Sequence, residues 1–429
     1  MSPLVICPAP WSGILAAPPS KSIAHRALLA AALARGVSRI TGLELSQDIR
    51  VSIGVIQALG AQAEILPRED GLYDVRVAGL TPGVSGTLPD IDCGESGNML
   101  RFAIAVALYA RGGGVFHGSP RLMQRNMEPY ADLFAEKGIQ MSCPRPSEPL
   151  IVRGTLQSGD YRLAGNVSSQ FFTGLLLVLP LLQGDSTLAS IGPLESQPYV
   201  DITCRVLAQF GVPVQSALCG NMLRIAGGQA YAARAYAVEG DWSQAAALLV
   251  GGLVGGGVSV GNLSADSTQG DRVIESILRT MGARLSWQES RLVAQPSALH
   301  AADVDISDCP DLAPALSAAM AVASGVSRIR GGARLRYKES DRIAAICAVV
   351  NALGGDAAPT ADGLVIVGRE QLRGGVCDAS NDHRIAMMAA VLSARCEQDV
   401  VLNDHQSVNK TWPGFWNAVE QLGGSCHEQ

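Results

Sequence analysis

One design recurs six times along this chain: a polar turn followed by a helix of small apolar residues, as in SKSIAHRALLAAAL and NDHRIAMMAAVLSA. The steps between copies are 74, 73, 74, 68 and 72 residues, measured between the markers Ser22, Ser96, Ser169, Ser243, Asp311 and His383. A helix that is apolar on nearly every side is predicted to be buried. A repeat of this length limits the fold to several copies of one supersecondary unit.

A second series of helices alternates with the first. These helices are amphipathic and each ends in a glycine, which is typical of helix C-termini. The glycines are 78, 73, 71, 72 and 69 residues apart: Gly60, Gly138, Gly211, Gly282, Gly354 and Gly423. Short runs between the helices, such as YDVRVAG and DGLVIVG, alternate or are β-branched and predict strands. The chain is therefore predicted to be six copies of one α/β unit.

Six such units exceed the size of one hydrophobic core, because single cores stop growing near ~250–300 residues. Two domains of three units each are predicted for the 429 residues, with the midpoint near VEGDWSQ. If the buried helices of a domain converge, their polar N-terminal turns converge as well. Helix N-termini that meet in this way form a site that attracts anions.

The composition limits the class of function. The chain is 48% hydrophobic and has a net charge of −6, which argues against a general affinity for nucleic acid. Its ten cysteines show no metal-ligand spacing and are predicted to be reduced thiols of a cytosolic protein. The N-terminus lacks the basic region of a signal peptide, and the longest apolar run, FFTGLLLVLPLL, is too short for a membrane span.

Cations cluster at the starts of the apolar helices, where the helix dipole disfavours them by about 0.3–1 kcal/mol each. Lys21 and Arg26 open the first of these helices, Arg101 lies one turn into the second, and Arg384 opens the sixth. To these are added the cations Arg125, Arg334, Arg336, Lys338, Arg342 and Lys410. An anion that joined them would offset their repulsion, and phosphates and carboxylates fit because Arg and Lys bind both. No GxxxxGK[ST] occurs and no GxGxxG opens a helix after a strand, so the phosphate need not belong to a nucleotide.

Two carboxylates at the polar turns are candidates for proton transfer, Asp311 in PDLAPAL and Glu339 in YKESDR. Considered alone, Asp311 is better explained as an acidic residue at a helix start, and Glu339 as a solvated charge. His25 and His383 also lie at polar turns. Capping or ligand positioning is favoured over metal binding for both, because no second ligand stands at metal-binding spacing.

The motifs taken together resemble those of the 5-enolpyruvylshikimate-3-phosphate synthase family, in the family's order and over essentially the whole chain. They are PPSKSIAHRALLAAAL, DCGESGNMLRF, NVSSQFFTGLLL, ESQPYVDIT, VEGDWSQAA, PDLAPAL, RLRYKESDRI, NDHRIAMM and KTWPGFW. The resemblance implies an α/β fold of two similar domains, each an inverted α/β barrel of three βαβαββ repeats, with the active site in the interdomain cleft. Residues 1–19 and 240–429 would form a discontinuous domain with the N-terminal strand and repeats four to six. Residues 20–239 would form a continuous domain with three repeats.

The family's reaction transfers the enolpyruvyl group of phosphoenolpyruvate to the 5-hydroxyl of shikimate 3-phosphate and releases phosphate, in aromatic amino acid biosynthesis. It proceeds by addition and elimination through a tetrahedral intermediate. The two substrates bring two phosphates and two carboxylates, which would account for the clustered cations. The resemblance implies neither a metal nor an organic cofactor, and neither a nucleic acid nor a membrane as partner. A monomeric, cytoplasmic transferase is expected.

The resemblance also implies roles for single residues. Asp311 is similar to the residue that accepts the 5-hydroxyl proton, Glu339 to the one that exchanges the methylene proton, and Lys21 to one that contacts both substrates. The residues implied to bind shikimate 3-phosphate are Lys21, Ser22, Arg26, Ser168, Ser169, Gln170, Ser196, Tyr199, Asp311 and Lys338. The residues implied to bind phosphoenolpyruvate are Lys21, Gly97, Arg125, Gln170, Arg342, Arg384 and Lys410.

Three residues depart from the family's pattern. Glu95 and Asn98 stand where many members have Asn and Thr or Ser, and Arg334 stands where many have Asn. These differences leave open the polarity of the phosphoenolpyruvate pocket and the sensitivity to the inhibitor glyphosate.

Two alternatives remain open. UDP-N-acetylglucosamine enolpyruvyl transferase shares the fold and the chemistry, but it usually carries a catalytic cysteine that the stretch RGGGVFHGSPRLMQRN lacks. A non-catalytic anion-binding protein of the same fold would not need both proton-transfer carboxylates. Phosphate release from phosphoenolpyruvate with either acceptor separates the three.

Overall fold

Each repeat of the sequence contributes to a small four-stranded sheet in the computed structural model, which describes residues 2–83, 86–142, 148–216 and 222–429. Contacts within the chain divide it into two units. We call Pro19–Val238 the continuous unit, and Met1–Pro18 with Glu239–Gln429 the discontinuous unit.

The strands follow the alternating runs of the sequence. The discontinuous unit begins with β1 (Leu4–Cys7) and β2 (Ser12–Ala16). The strands of the continuous unit are β3 (Val37–Leu43), β4 (Gln62–Pro67), β5 (Tyr73–Ala78), β6 (Asp90–Asp92), β7 (Gly113–His117), β8 (Gln140–Met141), β9 (Leu150–Arg153), β10 (Asp160–Ala164), β11 (Ser186–Ile191), β12 (Gln215–Ser216), β13 (Met222–Ile225) and β14 (Ala235–Ala237). The discontinuous unit resumes with β15 (Gly257–Gly261), β16 (Arg284–Gln288), β17 (Arg291–Gln295), β18 (Asp303–Asp305), β19 (Val326–Arg330), β20 (Asp356–Pro359), β21 (Leu364–Val367), β22 (Gly375–Asp378), β23 (Val400–Asn403) and β24 (Ser425–Glu428).

The helices lie between these strands. Those of the continuous unit are α1 (Lys21–Leu33), α2 (Gln47–Ala58), α3 (Gly97–Arg111), α4 (Pro120–Met123), α5 (Glu128–Glu136), α6 (Ser169–Val178) and α7 (Gln197–Gln209). Those of the discontinuous unit are α8 (Trp242–Val254), α9 (Ile274–Thr280), α10 (Ala313–Ala321), α11 (Arg342–Ala352), α12 (His383–Ser393) and α13 (Phe415–Gln421). Short 3₁₀ segments are Leu179–Leu181, Gly270–Val273, Pro310–Leu312, Ala333–Tyr337 and His405–Lys410.

All of the sheets share one pattern, in which the first two strands are parallel and the others antiparallel. In the continuous unit the orders are β14-β3-β5-β4, β6-β7-β9-β8 and β10-β11-β13-β12. In the discontinuous unit they are β2-β15-β17-β16, β18-β19-β21-β20 and β22-β23-β1-β24. The N-terminal strands β1 and β2 thus pair with strands that follow residue 239. Each sheet buries one face, as the buried register partners Tyr161 and Leu188 illustrate.

The first helix of every repeat is buried, as the sequence predicts. In α8, α10 and α12 every residue is buried, and α1, α3 and α6 expose only a few. These helices fill the interior while the sheets cover them, and each unit has its own hydrophobic core. The arrangement buries apolar surface on all sides of the helix, which accounts for the absence of an amphipathic pattern.

Glycines allow the buried helices to approach their neighbours closely. A Cβ on Gly174 of α6 would lie 2.7 Å from the carbonyl oxygen of Arg101, and one on Gly251 of α8 would lie 2.3 Å from the Trp11 ring. The six glycines that end the second helices all have positive φ, between 70° and 98°, so the predicted helix ends are confirmed.

The cysteines within the described residues are free thiols, and Cys143 and Cys219 lie outside those residues. Among the described helices, none has the length and apolar character that a membrane crossing requires.

Candidate active site

The polar turns that begin the buried helices, called tips below, carry more than half of the site residues predicted from the sequence. The first helical residues follow N-caps that suit a helix start: Ser20, Ser96, Ser168, Asp241 and Asp382. Serine and aspartate are favoured there because their side chains accept hydrogen bonds from free backbone N–H groups. At the fifth tip, the 3₁₀ turn Pro310–Leu312 places Asp311 just before α10.

In the continuous unit, the guanidinium of Arg26 joins the helices α1, α6 and α7, and this residue is only 2% exposed. Its Nε donates to Thr203 at 2.8 Å and its Nη1 to the carbonyl of Ser22 at 2.6 Å. Its Nη2 donates to Thr173 at 3.2 Å and to the carbonyl of Tyr199 at 3.0 Å. All of these acceptors are neutral, and burial lowers the pKa of Arg26 to about 10. This cation therefore lies in the protein interior without a carboxylate.

Arg101 of α3 is a second buried cation of this kind. Its Nη1 donates to Oε1 of Gln170, its Nη2 donates to the carbonyl of Asn126 at 3.1 Å, and the guanidinium lies 4.9 Å from the centre of the Phe171 ring. Burial, followed by the nearby charge of Arg125, lowers the pKa of Arg101 to about 9. Within the described residues neither Arg26 nor Arg101 forms a salt bridge, so an incoming anion would find positive charge that is not neutralised.

Lys21 and His25 lie on α1 beside these cations. The ammonium of Lys21 is 2.8 Å from Asp48 at the start of α2. Nδ1 of His25 lies 2.6 Å from the hydroxyl of Ser52, which itself donates to the carbonyl of Asp48. That hydroxyl proton is committed, so we assign the Nδ1–H tautomer to His25. Burial lowers the pKa of His25 to about 3, which makes it a neutral packing residue.

The start of α3 is shaped around Arg125. A Cβ built on Gly97 would lie 2.2 Å from Nη1 of Arg125. Glycine therefore lets the guanidinium lie directly against the helix backbone. The family resemblance implies Gly97 as a phosphoenolpyruvate position, and the structure adds the steric reason for a glycine there.

The third tip, at the start of α6, lies beside the start of α7. Ser168 caps α6 by accepting a hydrogen bond from the backbone N–H of Gln170 at 3.3 Å, and Ser169 is the first residue of the helix and is buried. Ser196 precedes α7 with a φ of 58°, in the left-handed region. The carbonyl of Tyr199 accepts from Arg26, so this tip contacts the first tip of the same unit.

In the discontinuous unit, Asp311 is surrounded by three cations. Its Oδ1 lies 2.9 Å from Nη1 of Arg342 and 3.4 Å from Nζ of Lys338, and its Oδ2 lies 3.1 Å from Nη2 of Arg384. Burial lowers the pKa of Lys338 to about 8, against the opposing effect of Asp311. The sequence places these residues up to 73 positions apart, and the structure brings them to one carboxylate.

A second carboxylate fixes Arg342 from the other side. Nε of Arg342 donates to Oδ2 of Asp382 at 2.7 Å, and both side chains are almost completely buried. Burial alone would lower the pKa of Arg342, but the carboxylates of Asp382, Asp311 and Glu339 raise it. Asp382 also caps α12 by accepting from the backbone N–H of Arg384. It was absent from the sequence-based site, although its position before a buried helix is typical of a cap.

The carboxylate of Glu339 contacts the buried His383, whose Nδ1 lies 2.9 Å from Oε2. Lys410 donates from Nζ to the carbonyl of Asn381 at 2.6 Å, near the start of α12. Glu339, Asp382 and His383 place potential metal-ligand atoms within 4.8 Å of one another. Both oxygens of Asp382, however, accept hydrogen bonds from Arg342, so the arrangement is that of an ion-pair network.

The two units therefore carry different chemistry at their tips. In the continuous unit, Arg26 and Arg101 are buried with hydroxyls, carbonyls and an amide, a setting that favours binding of an anion. In the discontinuous unit, the cations share carboxylates, a setting that can both bind anions and move protons. Among the predicted residues, Lys338, Arg342 and Arg384 contact Asp311 directly.

Comparison with known proteins gives matches over the whole chain. The family described as EPSP synthase (3-phosphoshikimate 1-carboxyvinyltransferase) matches residues 6–419. Two similar proteins, each named 3-phosphoshikimate 1-carboxyvinyltransferase, come from Clostridium novyi and Clostridium kluyveri. The first is 38% identical and the alignment covers 100% of this chain and 99% of the relative. The second is 39% identical, with 99% and 98% covered.

Solved structures agree with these matches. EPSP synthase from Acinetobacter baumannii has a TM-score of 0.78 and 25% identity, with 100% of both chains covered. The enolpyruvyl transferase NikO from Streptomyces tendae has a TM-score of 0.78 at 16% identity, with 100% of this chain and 99% of that chain covered, which shows a shared fold. The predicted fold class, an α/β chain of two similar domains built from three βαβαββ repeats each, is confirmed.

Proposed function

The chain belongs to the EPSP synthase family, and we propose that it transfers the enolpyruvyl group of phosphoenolpyruvate to the 5-hydroxyl of shikimate 3-phosphate with release of phosphate. It is thus a transferase of the shikimate pathway. The observation that carries the proposal within the structure is the contact of Asp311 with Lys338, Arg342 and Arg384. A carboxylate base among anion-binding cations is what this reaction needs.

The uncompensated cations of the continuous unit support a role in binding shikimate 3-phosphate. Among the described residues, Arg26 retains one Nη1 hydrogen that its hydrogen bonds to Thr203, Thr173 and two backbone carbonyls do not use. Lys21 would exchange its contact with Asp48 for substrate anions. The residues we propose for this substrate are Lys21, Ser22, Arg26, Ser168, Ser169, Gln170, Ser196, Tyr199, Asp311 and Lys338.

Guanidinium groups at the helix starts support a role in binding phosphoenolpyruvate, because the planar fork of arginine matches carboxylate and phosphate oxygens. Arg125 lies against α3 at Gly97, and Arg384 begins α12. The residues we propose for this substrate are Lys21, Gly97, Arg125, Gln170, Arg342, Arg384 and Lys410. Lys21 would contact both substrates.

In the proposed mechanism, Asp311 accepts the 5-hydroxyl proton while the hydroxyl oxygen forms a bond to C2 of phosphoenolpyruvate. The methylene carbon C3 takes up a proton delivered through Glu339, and a tetrahedral intermediate results. In the second step, Glu339 removes a proton from C3 and the C2–O bond to phosphate breaks. The double bond forms again and phosphate leaves, its charge stabilised by the cations. Nδ1 of His383, 2.9 Å from Glu339, is placed to orient that carboxylate.

The experiment is an initial-rate measurement of phosphate release from phosphoenolpyruvate. We expect release with shikimate 3-phosphate and none with UDP-N-acetylglucosamine. Release only with the second acceptor would instead identify the related enolpyruvyl transferase. Saturable binding of shikimate 3-phosphate without release would identify an anion-binding protein of the same fold.

We further propose that the enzyme acts as a monomer in the cytoplasm and needs no cofactor. Its free thiols and the lack of a membrane-spanning helix among the described residues are compatible with that compartment. Light scattering of the purified protein tests the first point, since a mass near 44.7 kDa is expected and a multiple of it would contradict the proposal. If the enzyme needs no metal cofactor, its activity should survive dialysis against a chelator.

A further inference from the structure

The second helical residue at each tip occupies an equivalent position in the six repeats. These residues are Ser22, Asn98, Gln170, Ser243, Asp311 and Arg384. Four of them are already proposed to bind substrate or transfer a proton. Asn98 and Ser243 have no such role, yet each forms a hydrogen bond with an equivalent residue of its own unit.

Ser243 contacts Arg384 in the discontinuous unit. Nη2 of Arg384 lies 3.0 Å from Oγ of Ser243 and 3.1 Å from Oδ2 of Asp311. All three side chains lie at the tips, and Ser243 is only 7% exposed. Nη2 of Arg384 is thus shared between a neutral hydroxyl and the proposed base.

The hydroxyl of Ser243 is oriented by Asp241. Oδ1 of Asp241 accepts from Oγ of Ser243 and also from the backbone N–H groups of Ser243 and Gln244. A carboxylate can only accept, so the hydroxyl proton points to Asp241 and the lone pairs of Oγ remain for Arg384. The contact is therefore directional: Ser243 is built to accept from the guanidinium.

Asn98 has the corresponding contact in the continuous unit. Its Oδ1 accepts from Nε2 of Gln170, while Oε1 of Gln170 accepts from Nη1 of Arg101. Arg101 can only donate and therefore fixes which end of the Gln170 amide is oxygen. With both ends held, one side-chain N–H of Gln170 has no acceptor among the described residues and can donate to a ligand.

We propose that Ser243 and Asn98 are positioning residues, which orient the Arg384 guanidinium and the Gln170 amide for substrate. The inference rests on the proposed function, because that function makes Arg384 and Gln170 substrate ligands. Without Ser243, Nη2 of Arg384 loses the neutral acceptor that it shares with Asp311, and its contact with Asp311 is strengthened. The arginine would then bind phosphoenolpyruvate less well, and Asp311 would be a weaker base.

The test measures steady-state kinetics of the full chain with both substrates. In Ser243→Ala we expect the KM for phosphoenolpyruvate to rise about tenfold, because one hydrogen bond to a charged group is lost. The KM for shikimate 3-phosphate should stay unchanged, and the acidic limb of the kcat profile should move to lower pH. Ser243→Thr keeps the acceptor and should restore the wild-type values. In Asn98→Leu, the KM for both substrates should rise, because Gln170 is proposed to contact both.

Ser317→Ala is the matched control for Ser243→Ala. Ser317 is a buried serine of α10 whose hydroxyl has no hydrogen-bond partner among the described residues, so its replacement should leave the kinetics unchanged. Double variants separate positioning from folding effects. In the Arg384→Ala background, Ser243→Ala should change the KM for phosphoenolpyruvate by less than about twofold further. In the Gln170→Ala background, Asn98→Leu should likewise change the KM for either substrate by less than about twofold.

The inference would be overturned if the changes in KM were fully additive in both double variants. It would also be overturned if the KM values of Ser243→Ala equalled those of Ser317→Ala. The wild-type enzyme keeps these results separate from the proposed function. If it releases phosphate with shikimate 3-phosphate, a negative result concerns the positioning residues alone. If it does not, the proposed function fails, and the positioning inference that rests on it fails as well.

Discussion

Oδ1 of Asp311 lies 2.9 Å from Nη1 of Arg342, so the proposed base is ion-paired with an arginine that is also proposed to bind phosphoenolpyruvate. Arg384 contacts the other oxygen of the same carboxylate. Asp311 therefore accepts from the same donors that a substrate anion would use. Binding of that anion would draw the arginines away from Asp311 and make the carboxylate a stronger base, since a nearby cation lowers a carboxylate pKa.

Replacement of Asp311 by Asn should separate binding from turnover. We expect kcat to fall about 10²–10⁴-fold, because a neutral amide cannot accept the hydroxyl proton. The affinity for phosphoenolpyruvate should be kept or increased, since the arginines lose an internal competitor. Initial rates and calorimetric titration of the Asp311→Asn protein measure the two effects. A near-normal kcat would refute the role of Asp311.

Replacement of Lys21 by Ala should weaken binding of both substrates. In the wild-type protein the Lys21 ammonium lies 2.8 Å from the largely buried carboxylate of Asp48, and this ion pair holds Lys21 at the first tip. Titration of the Lys21→Ala protein with each substrate should give lower affinity in both cases. If one affinity stayed the same, the proposal that Lys21 contacts both substrates would be wrong.

Replacement of Gly97 by Ala should displace Arg125, because the added Cβ would lie 2.2 Å from its Nη1. We expect the KM for phosphoenolpyruvate to rise at least about tenfold, with little effect on the melting temperature, since a charged hydrogen bond to the ligand is lost. Gly54 of α2 is the matched control, because nothing lies within 4 Å of its added Cβ. Gly54→Ala should leave the kinetics unchanged and stabilise the helix by up to ~1 kcal/mol. Equal KM values in both variants would contradict the steric account.

The buried His25 should make the protein less stable at acid pH. Burial lowers its pKa from 6.5 to about 3, so between these values the unfolded chain binds a proton that the folded chain does not. This contribution to the free energy of unfolding is present above pH 6.5 and is lost as the pH falls toward 3. About 2 kcal/mol of it is lost by pH 5.

Urea unfolding of wild type and His25→Gln at pH 7 and pH 5 measures this effect. The stability of the variant should fall less between the two pH values, because glutamine does not titrate. An equal fall in both proteins would show that His25 is not held neutral in the folded state.

The helices and their ends could be predicted from the sequence, because periodicity and terminal glycines are local properties. Gly60 and Gly354 are examples, since each has the positive φ that a helix end requires. The pairing of Arg342 with Asp382, 40 residues apart, could not be predicted, because it depends on how α11 and α12 pack. The contact of Lys21 with Asp48 could not be predicted for the same reason, because it depends on how α1 and α2 pack.

The roles of Asn98 and Ser243 could not be predicted from the sequence either. In the sequence, Asn98 is only a departure from the family's pattern and Ser243 only a marker of the repeat. Their importance follows from hydrogen bonds to Gln170 and Arg384, 72 and 141 residues away, which a repeat period alone does not reveal.

The central claim is tested most directly by phosphorus NMR. The reaction contains equal amounts of phosphoenolpyruvate and shikimate 3-phosphate. The proposed reaction predicts that the phosphoenolpyruvate signal declines while inorganic phosphate and one new phosphomonoester grow in equal amounts. It also predicts that omission of either substrate abolishes the change. Persistence of both substrate signals at high enzyme concentration, or phosphate formed without the new phosphomonoester, would contradict the account.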